Sequence, residues 1–302
     1  MRENITKKQD GALHRFLHSE FFYNYKHNIP AIIGTVIVVF MLFMAVFGPL
    51  FAPQDPYDVG SLSLSDSYLP PIWIENSDSH FLLGTDSQGR DVFSSLIYGS
   101  RISLFIGVAG TVFSCIIGVT LGLISGYFGG RIDAIIMRFA DILLSFPSML
   151  VALFIMSMFG RGVDKLLIVF TLLGCVTYIR TVRAEVLSVK KVEYVDAARV
   201  IGIPNILILL KHVLPNVATT IIVLSTMKVG NLILSEATLS FLGVGVPVTE
   251  PSLGMLVKNG FDVLFSGYWW IAVMPGLYIM LLVFGINLLG DFLRDEFNPK
   301  LK

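Results

Sequence analysis

Six stretches of this chain are mainly apolar over about 17 to 26 residues, and they constrain the fold more than any other feature. A helix needs roughly 20 mainly apolar residues to cross the hydrocarbon core of a bilayer, which is about 30 Å thick. With 54% hydrophobic and 15% charged residues, the composition is too apolar for an ordinary soluble domain. We therefore predict an all-α, polytopic membrane protein with six transmembrane helices, at residues 31–51, 102–127, 142–159, 166–182, 217–239 and 268–289.

Loop charges predict the orientation and test the fourth helix, whose uninterrupted apolar part stops before Arg180. Short cytoplasmic loops carry an excess of Lys and Arg. The arm 1–30 is basic, the segment 53–100 carries seven acidic residues against the single Arg90, and 183–216 is basic again. An even number of spans must then separate the arm from 183–216, which requires the fourth helix. Six spans place both termini in the cytoplasm.

The first apolar stretch is predicted to be an uncleaved anchor, because a basic arm of nearly 30 residues precedes it and no A-x-A-like site follows. The predicted chain begins with a cytoplasmic N-terminal arm (1–30), a first transmembrane helix (31–52) and an extracytoplasmic segment (53–100). A transmembrane core (101–290) follows, which contains a cytoplasmic loop (183–216), and the chain ends in a cytoplasmic tail (291–302).

The polar, basic loop interrupts an otherwise apolar core and so calls for a task in water. Residues 193–203 have a helical rhythm, with Val195, Ala198, Val200 and Ile201 apolar among charged neighbours. Gly202 and Pro204 disfavour a continuing helix. We predict a short cytoplasmic helix followed by a sharp bend and a return to the membrane, which presents a rigid knob to a soluble partner.

The sequence contains no G-x-x-x-x-G-K-[ST] loop for a nucleotide, no G-x-S-x-G elbow and no H-E-x-x-H pair. Cys115 and Cys175 lie in apolar stretches and indicate no disulfide, and the scattered histidines indicate no metal site. The formal net charge of zero indicates no nucleic-acid partner. We expect no cofactor and no catalysis in this chain. Energy for transport then comes from an ion gradient or from another polypeptide.

Two charges, Lys228 and Glu236, fall inside the fifth predicted helix. A charge at the centre of a membrane helix costs roughly 2.5 to 3.5 kcal/mol on insertion scales, so both side chains should face protein or water. Eight residues place them about 80° apart around the helix. A polar lining of a translocation path and a structural hydrogen-bonding role remain equally open.

Glycines recur every four residues in the second predicted helix, at Gly118, Gly122 and Gly126. This spacing clears one helix face for the close approach of another helix. We favour packing within the chain over a subunit interface.

The loop 183–216 resembles the EAA loop of bacterial ABC-importer permeases. The resemblance rests on Asp196-Ala197-Ala198, on Gly202 and on Leu214-Pro215. Asp196 stands where the general motif has Glu, and His212 where it has Ile; both variants are usual in the dipeptide and oligopeptide branch. Other stretches resemble the second permease of peptide importers, the OppC or DppC type: 83–104, 126–147, 236–247 and 290–299.

The resemblance implies a type I ABC importer permease fold in the bacterial inner membrane. It also implies that ATP and Mg²⁺ are bound by two partner ATPase subunits, and that a paralogous permease and an extracytoplasmic substrate-binding protein complete the importer. The residues implied to form the ATPase-coupling surface are Glu193, Asp196, Ala197, Ala198, Gly202, Leu214 and Pro215. Small residues there suit a knob that enters a groove.

The extracytoplasmic segment carries the motif Asp86 to Asp91, with Arg90 between the carboxylates. It is expected either to help receive the binding protein or to form a structured lid with an internal ion pair.

Peptides are the expected substrates, and nickel chelates, glutathione or opines are alternatives within the same architecture. A self-sufficient secondary transporter is a less favoured reading, because no internal repeat is evident and intramembrane carboxylates are few. An intramembrane enzyme is disfavoured because a nucleophile and base pair is lacking.

Overall fold

A computed structural model describes residues 20–58, 60, 62–247 and 249–297, and every regular element in those residues is helical apart from one bridge between Thr85 and Asp91. The all-α prediction is confirmed for this part of the chain. The helices are α1 (Glu20–His27), α2 (Ile29–Phe47), α3 (Val92–Phe128), α4 (Gly130–Leu144), α5 (Ser148–Phe159), α6 (Val163–Val189), α7 (Glu193–Val200), α8 (Asn205–Ile208), α9 (Leu214–Phe241), α10 (Leu253–Val263) and α11 (Trp270–Phe297).

Among the described residues, five helical segments are long and apolar enough to span a membrane: α2, α3, α6, the run from α8 to α9, and α11. A sixth arises only if α4 and α5 form one bent span. α3 begins at Val92, ten residues before the predicted start. Its 37 residues extend over about 55 Å, so it reaches well beyond one bilayer thickness.

The third predicted helix, 142–159, is wrong as a continuous element. α4 and α5 meet at 85° across residues 145–147. Pro147 disfavours helical backbone at Phe146 before it, and it has no N–H to continue the ladder. The twelve residues of α5 are only about 18 Å long, too short to cross alone.

The fourth predicted helix, which the sequence supported least, is a continuous helix of 27 residues. It continues through Arg180 and Arg183 because both guanidinium groups have carboxylate partners on α4. Arg183 holds Asp133 in a two-point ion pair, with Nε–Oδ1 and Nη2–Oδ2 distances of 2.5 and 2.6 Å. Arg180 pairs with Asp141. Paired charges of this kind are tolerated in or beside a membrane helix where isolated ones are not.

The centre of the bundle is the contact between α3 and α6, which is closer than large side chains would allow. A Cβ atom placed on Gly118 would lie 2.5 Å from Tyr178 Cβ and 2.6 Å from the Cys175 carbonyl oxygen. Gly122 and Gly126 approach α6 in the same way. The prediction that these glycines serve packing within the chain is confirmed.

At the N-terminal side, α2 packs along α11, and α1 lies beside the end of α11. Asn24 Nδ2 donates to Glu296 Oε2 at 2.9 Å, and Gly34 lies against the Gly285 carbonyl. Large apolar side chains on the outer side of α2, among them Val36, Val39 and Phe40, are more than half exposed. Such a surface needs lipid or protein to cover it.

We expect Gly118→Ala to destabilise the bundle, because overpacking by a methyl group costs about 1–3 kcal/mol. Gly276→Ala on α11 is the matched control, since no atom lies within 4 Å of its added methyl. Thermal unfolding of the detergent-purified variants should show a lower Tm for Gly118→Ala alone. Equal Tm values for the two variants would contradict the close approach of α3 and α6.

Candidate functional site

α7 has one face fixed to the ends of the long helices. Val195 and Ala198 are buried, and they belong to a cluster with Ile208, Val213 and Val217 from the chain that leads into α9. The same cluster includes the last turns of α3 and side chains of α6. At about 25 cal/mol per Å² of buried apolar surface, such contacts hold the short helix firmly. α7 is therefore packed against the ends of three membrane helices.

A glycine ends α7 in the way that the sequence predicts. Gly202 has φ +87°, a left-handed conformation that residues with a Cβ rarely adopt. The Ile203 N–H donates to the Ala198 carbonyl at 3.1 Å, and the Gly202 N–H donates to the Arg199 carbonyl at 3.0 Å. These two bonds form a Schellman motif, which satisfies carbonyls at the helix end and turns the chain sharply.

The outer face of α7 ends in an apolar tip formed by Val200 and Ile201. Val200 is 88% exposed and Ile201 is 77% exposed, next to the exposed Ala197. Two large apolar side chains therefore lie exposed next to each other at the end of a polar helix. Sequence reasoning missed this tip because it grouped both residues with Val195 as one apolar rhythm. Rotation by 100° per residue places Val200 about 140° away from Val195, so the separation was readable.

The structure divides the predicted coupling residues between two faces. Glu193, Asp196, Ala197 and Gly202 are exposed. Ala198 is only 5% exposed, so its assignment to a slim outer face is wrong: its small side chain lets α7 approach the bundle.

The residues at the start of α9 play different parts. Leu214 packs against the cluster under α7. Pro215 is exposed in the first turn of α9, where its missing N–H is harmless. A π-helical turn, Leu209–Val213, precedes them.

A cationic cleft of about 700 Å³ separates the outer side of α7 from the ends of α3 and α6. The Arg199 guanidinium lies 5.6 Å from the centre of the Tyr127 ring, and Arg199 also pairs with Asp196 at 3.0 Å. The Tyr127 hydroxyl donates to Asn205 Oδ1 at 2.8 Å, and Lys190 Nζ donates to the Gly126 carbonyl at 2.8 Å. The two hydrogen bonds tie α8 and the end of α6 to the last turn of α3, and the contact between Arg199 and Tyr127 places α7 beside them.

The two intramembrane charges have separate environments. Lys228 is half-buried, and its Nζ donates to Thr177 Oγ1 of α6 at 3.4 Å. Glu236 is fully buried and accepts hydrogen bonds from Ser103 and Ser240. Burial favours the structural alternative for Glu236, whereas Lys228 keeps the possibility of facing a path.

The motif before α3 is largely internal. Asp91 is fully buried and caps α3, accepting from the Ser94 N–H at 2.8 Å. Asp86 accepts from the N–H groups of Gln88 and Arg90 at 2.8 and 3.0 Å, and burial raises the pKa of its carboxyl group. Both carboxylates are therefore unable to offer a docking surface, which corrects the docking hypothesis for them. Within the described residues, Arg90 makes no ion pair within 4 Å, so the internal ion pair is also wrong.

No group of three or more His, Cys, Asp or Glu side chains lies together in a metal-binding arrangement among the residues that the structure describes.

Comparison with known proteins identifies the family. Residues 118–302 match the family described as "Binding-protein-dependent transport system inner membrane component", and residues 17–71 match the "N-terminal TM domain of oligopeptide transport permease C". The chain is 41% identical to the dipeptide transport system permease protein DppC of Escherichia coli (strain K12), over 94% of this chain and 93% of that protein. It is 38% identical to the oligopeptide transport system permease protein OppC of Bacillus subtilis (strain 168), over 99% and 93%.

The chain therefore belongs to the inner-membrane components of binding-protein-dependent transport systems, in the dipeptide and oligopeptide permease branch. Its relatives are permease subunits, so the chain is a membrane subunit of an ABC importer.

Replacement of Gly202 should loosen the end of α7 according to the side chain introduced. We expect Gly202→Val to cost about 1–2 kcal/mol locally and Gly202→Asn less, because Asn tolerates left-handed backbone. No atom lies within 4 Å of a Cβ at this position, so steric clash does not complicate the comparison. Hydrogen–deuterium exchange of residues 193–203 measures the effect. Equal exchange in the two variants would count against the role of the left-handed backbone at residue 202 in ending α7.

Proposed function

We propose that this chain forms half of the translocation pathway of an ABC importer and receives the ATPase stroke through α7. The observation that carries this proposal is the apolar tip of Val200 and Ile201 on a helix whose opposite face is buried against the bundle. A partner that grips the tip moves the ends of α3, α6 and α9 together. The sequence has no nucleotide-binding loop of its own, so ATP and Mg²⁺ are bound by the partner.

The mechanism is a rigid-body switch. ATP binding closes the two ATPase subunits, displaces the docked α7 and changes the bundle from inward to outward access. Each arrangement is favoured by different contacts, so hydrolysis alternates the two. The coupling surface consists of Glu193, Asp196, Ala197, Gly202 and the apolar tip, with Leu214 and Pro215 anchoring its base.

Four partners complete the proposed importer: a paralogous permease, two ATPase subunits and an extracytoplasmic binding protein. The chain crosses the bacterial inner membrane six times, with the bent pair of α4 and α5 as one span and both termini in the cytoplasm. Docking of the binding protein is proposed for the outer segment around Arg90, which stays half-exposed.

Di- and oligopeptides are the proposed substrates, since relatives are named as dipeptide, di/tripeptide and oligopeptide permeases. Lys228 is the proposed polar lining residue of the path, because it combines partial exposure with a position inside a membrane helix. Nickel chelates, glutathione or opines remain alternatives for the same architecture. Binding of a peptide and metal-chelate panel to the partner binding protein distinguishes them.

Val200→Asp should disrupt docking, because it places a charge in an apolar contact that partner association must desolvate. We expect co-purified ATPase subunits to fall about tenfold or more, as a loss of 1.4 kcal/mol already gives tenfold. Peptide uptake in reconstituted vesicles should be lost as well.

Leu64→Asp is the matched control for that experiment, since Leu64 is also largely exposed but lies in the segment before α3. It should leave ATPase association unchanged. Normal association and uptake in Val200→Asp would refute the assignment of the tip.

Reconstitution of the chain alone tests the less favoured secondary transporter. We expect no ion-driven peptide uptake into proteoliposomes that contain only this subunit, whereas the assembled complex should take up peptide with ATP. Uptake by the lone chain would support the secondary transporter instead.

A further inference from the structure

A buried carboxylate joins the last turns of α9 to the segment that connects α9 with α11. Glu236 has no exposed surface. Its Oε2 accepts from Ser103 Oγ of α3 at 2.6 Å, and its Oε1 accepts from Ser240 Oγ at 2.7 Å. Both serines are themselves fully buried.

Each of these serine hydroxyls also accepts a backbone N–H from the connecting segment. Ser240 Oγ accepts from Val246 N at 3.1 Å, and Ser103 Oγ accepts from Leu253 N at 3.2 Å. A hydroxyl that accepts one N–H still has its own proton to donate. The carboxylate accepts both protons, so one acidic side chain binds two hydroxyls that each accept a backbone N–H of the segment.

The connecting segment lies against α9 too closely for substitution by larger residues. A Cβ atom on Gly245 would lie 2.3 Å from Ser240 Oγ, and one on Gly254 would lie 2.4 Å from the Ala237 carbonyl oxygen. The hydrogen-bond network and the backbone contact therefore act at the same place. The segment has a single position relative to α9 while the network is intact.

α9 links this network to the coupling surface. Val217, in the first turns of α9, belongs to the cluster under α7, and Glu236 lies about 28 Å further along the same helix. One end of α9 thus packs in the cluster under α7, which carries the proposed ATPase contact. The other end of α9 contacts the connecting segment.

We propose that Glu236 is a positioning residue that joins α9 to the connecting segment 242–266, so that motion of α9 moves this segment during transport. The structural part of the proposal stands on the contacts above, and its transport part rests on the proposed function. Glu236 fixes the segment through Ser103 and Ser240, and does not line the path.

Hydrogen–deuterium exchange of the full-length chain in nanodiscs tests the structural part. Glu236→Ala leaves buried hydroxyls without an acceptor, and we expect exchange of residues 244–256 to accelerate about tenfold or more. Glu236→Gln should give a smaller effect, because its amide oxygen still accepts one hydroxyl while its NH₂ faces another donor. Unchanged exchange in Glu236→Ala would overturn the proposal.

Ser103→Ala provides a milder variant in case Glu236→Ala fails to fold. Ser235→Ala is its matched control, since Ser235 is half-buried and, among the described residues, its hydroxyl donates to the Asn231 carbonyl of its own helix. Faster exchange of the segment is expected for Ser103→Ala alone. Equal exchange in these two variants would also overturn the proposal.

Reconstituted importer with its ATPase and binding-protein partners tests the transport part. In Glu236→Gln we expect ATPase association and ATP hydrolysis to persist while peptide transported per ATP falls about fivefold or more, an uncoupling that simple unfolding does not give. Unchanged coupling alongside faster segment exchange would refute the transport role. Loss of ATP-driven uptake in the unmodified complex would instead refute the proposed function and leave the exchange result standing.

Discussion

The close packing of α3 on α6 is the contact on which the rest of the molecule depends. Three glycines bring the two backbones together, and dispersion and small-residue packing replace the hydrophobic drive that lipid cannot supply. The ends of both helices then form the base under α7, through Tyr127 and Val186 among others. Among the described residues, α3 and α6 form the most extensive contact between two helices, and α7 packs against the end of it.

Charged side chains inside this apolar framework form specific contacts between its helices. Arg183 and Asp133 tie α6 to α4, and Glu236 ties α9 to α3 and to the segment after it. Because an unpaired charge is costly in such surroundings, each of these groups has a defined partner. Directional hydrogen bonds hold helices in a particular register, which apolar contact alone does less well. These paired groups therefore hold α6 against α4 and α9 against α3.

Sequence reasoning succeeded where a signal is local. The apolar lengths predicted α2, α6, α9 and α11, and the parity of loop charges supported α6 despite Arg180. Gly202 and Pro204 were predicted to end α7 because both residues disfavour a continuing helix. Sequence reasoning failed where contacts with residues distant in sequence decide the burial or direction of a segment. Ala198 faces inward, Asp86 and Asp91 are buried, and the predicted helix at 142–159 bends sharply at Pro147.

By itself, the sequence determined that the chain is a helical membrane protein, that it contains no G-x-x-x-x-G-K-[ST] loop, and that a short helix with a glycine end interrupts its core. These properties follow from composition, run length and backbone preference, which act over a few residues. Only the tertiary structure decided that Glu236 is buried and hydrogen-bonded to two serines while Lys228 stays half-exposed, although both lie on one helix. The partners that separate them, Ser103 of α3 and Thr177 of α6, are distant in sequence and adjacent only in the folded bundle.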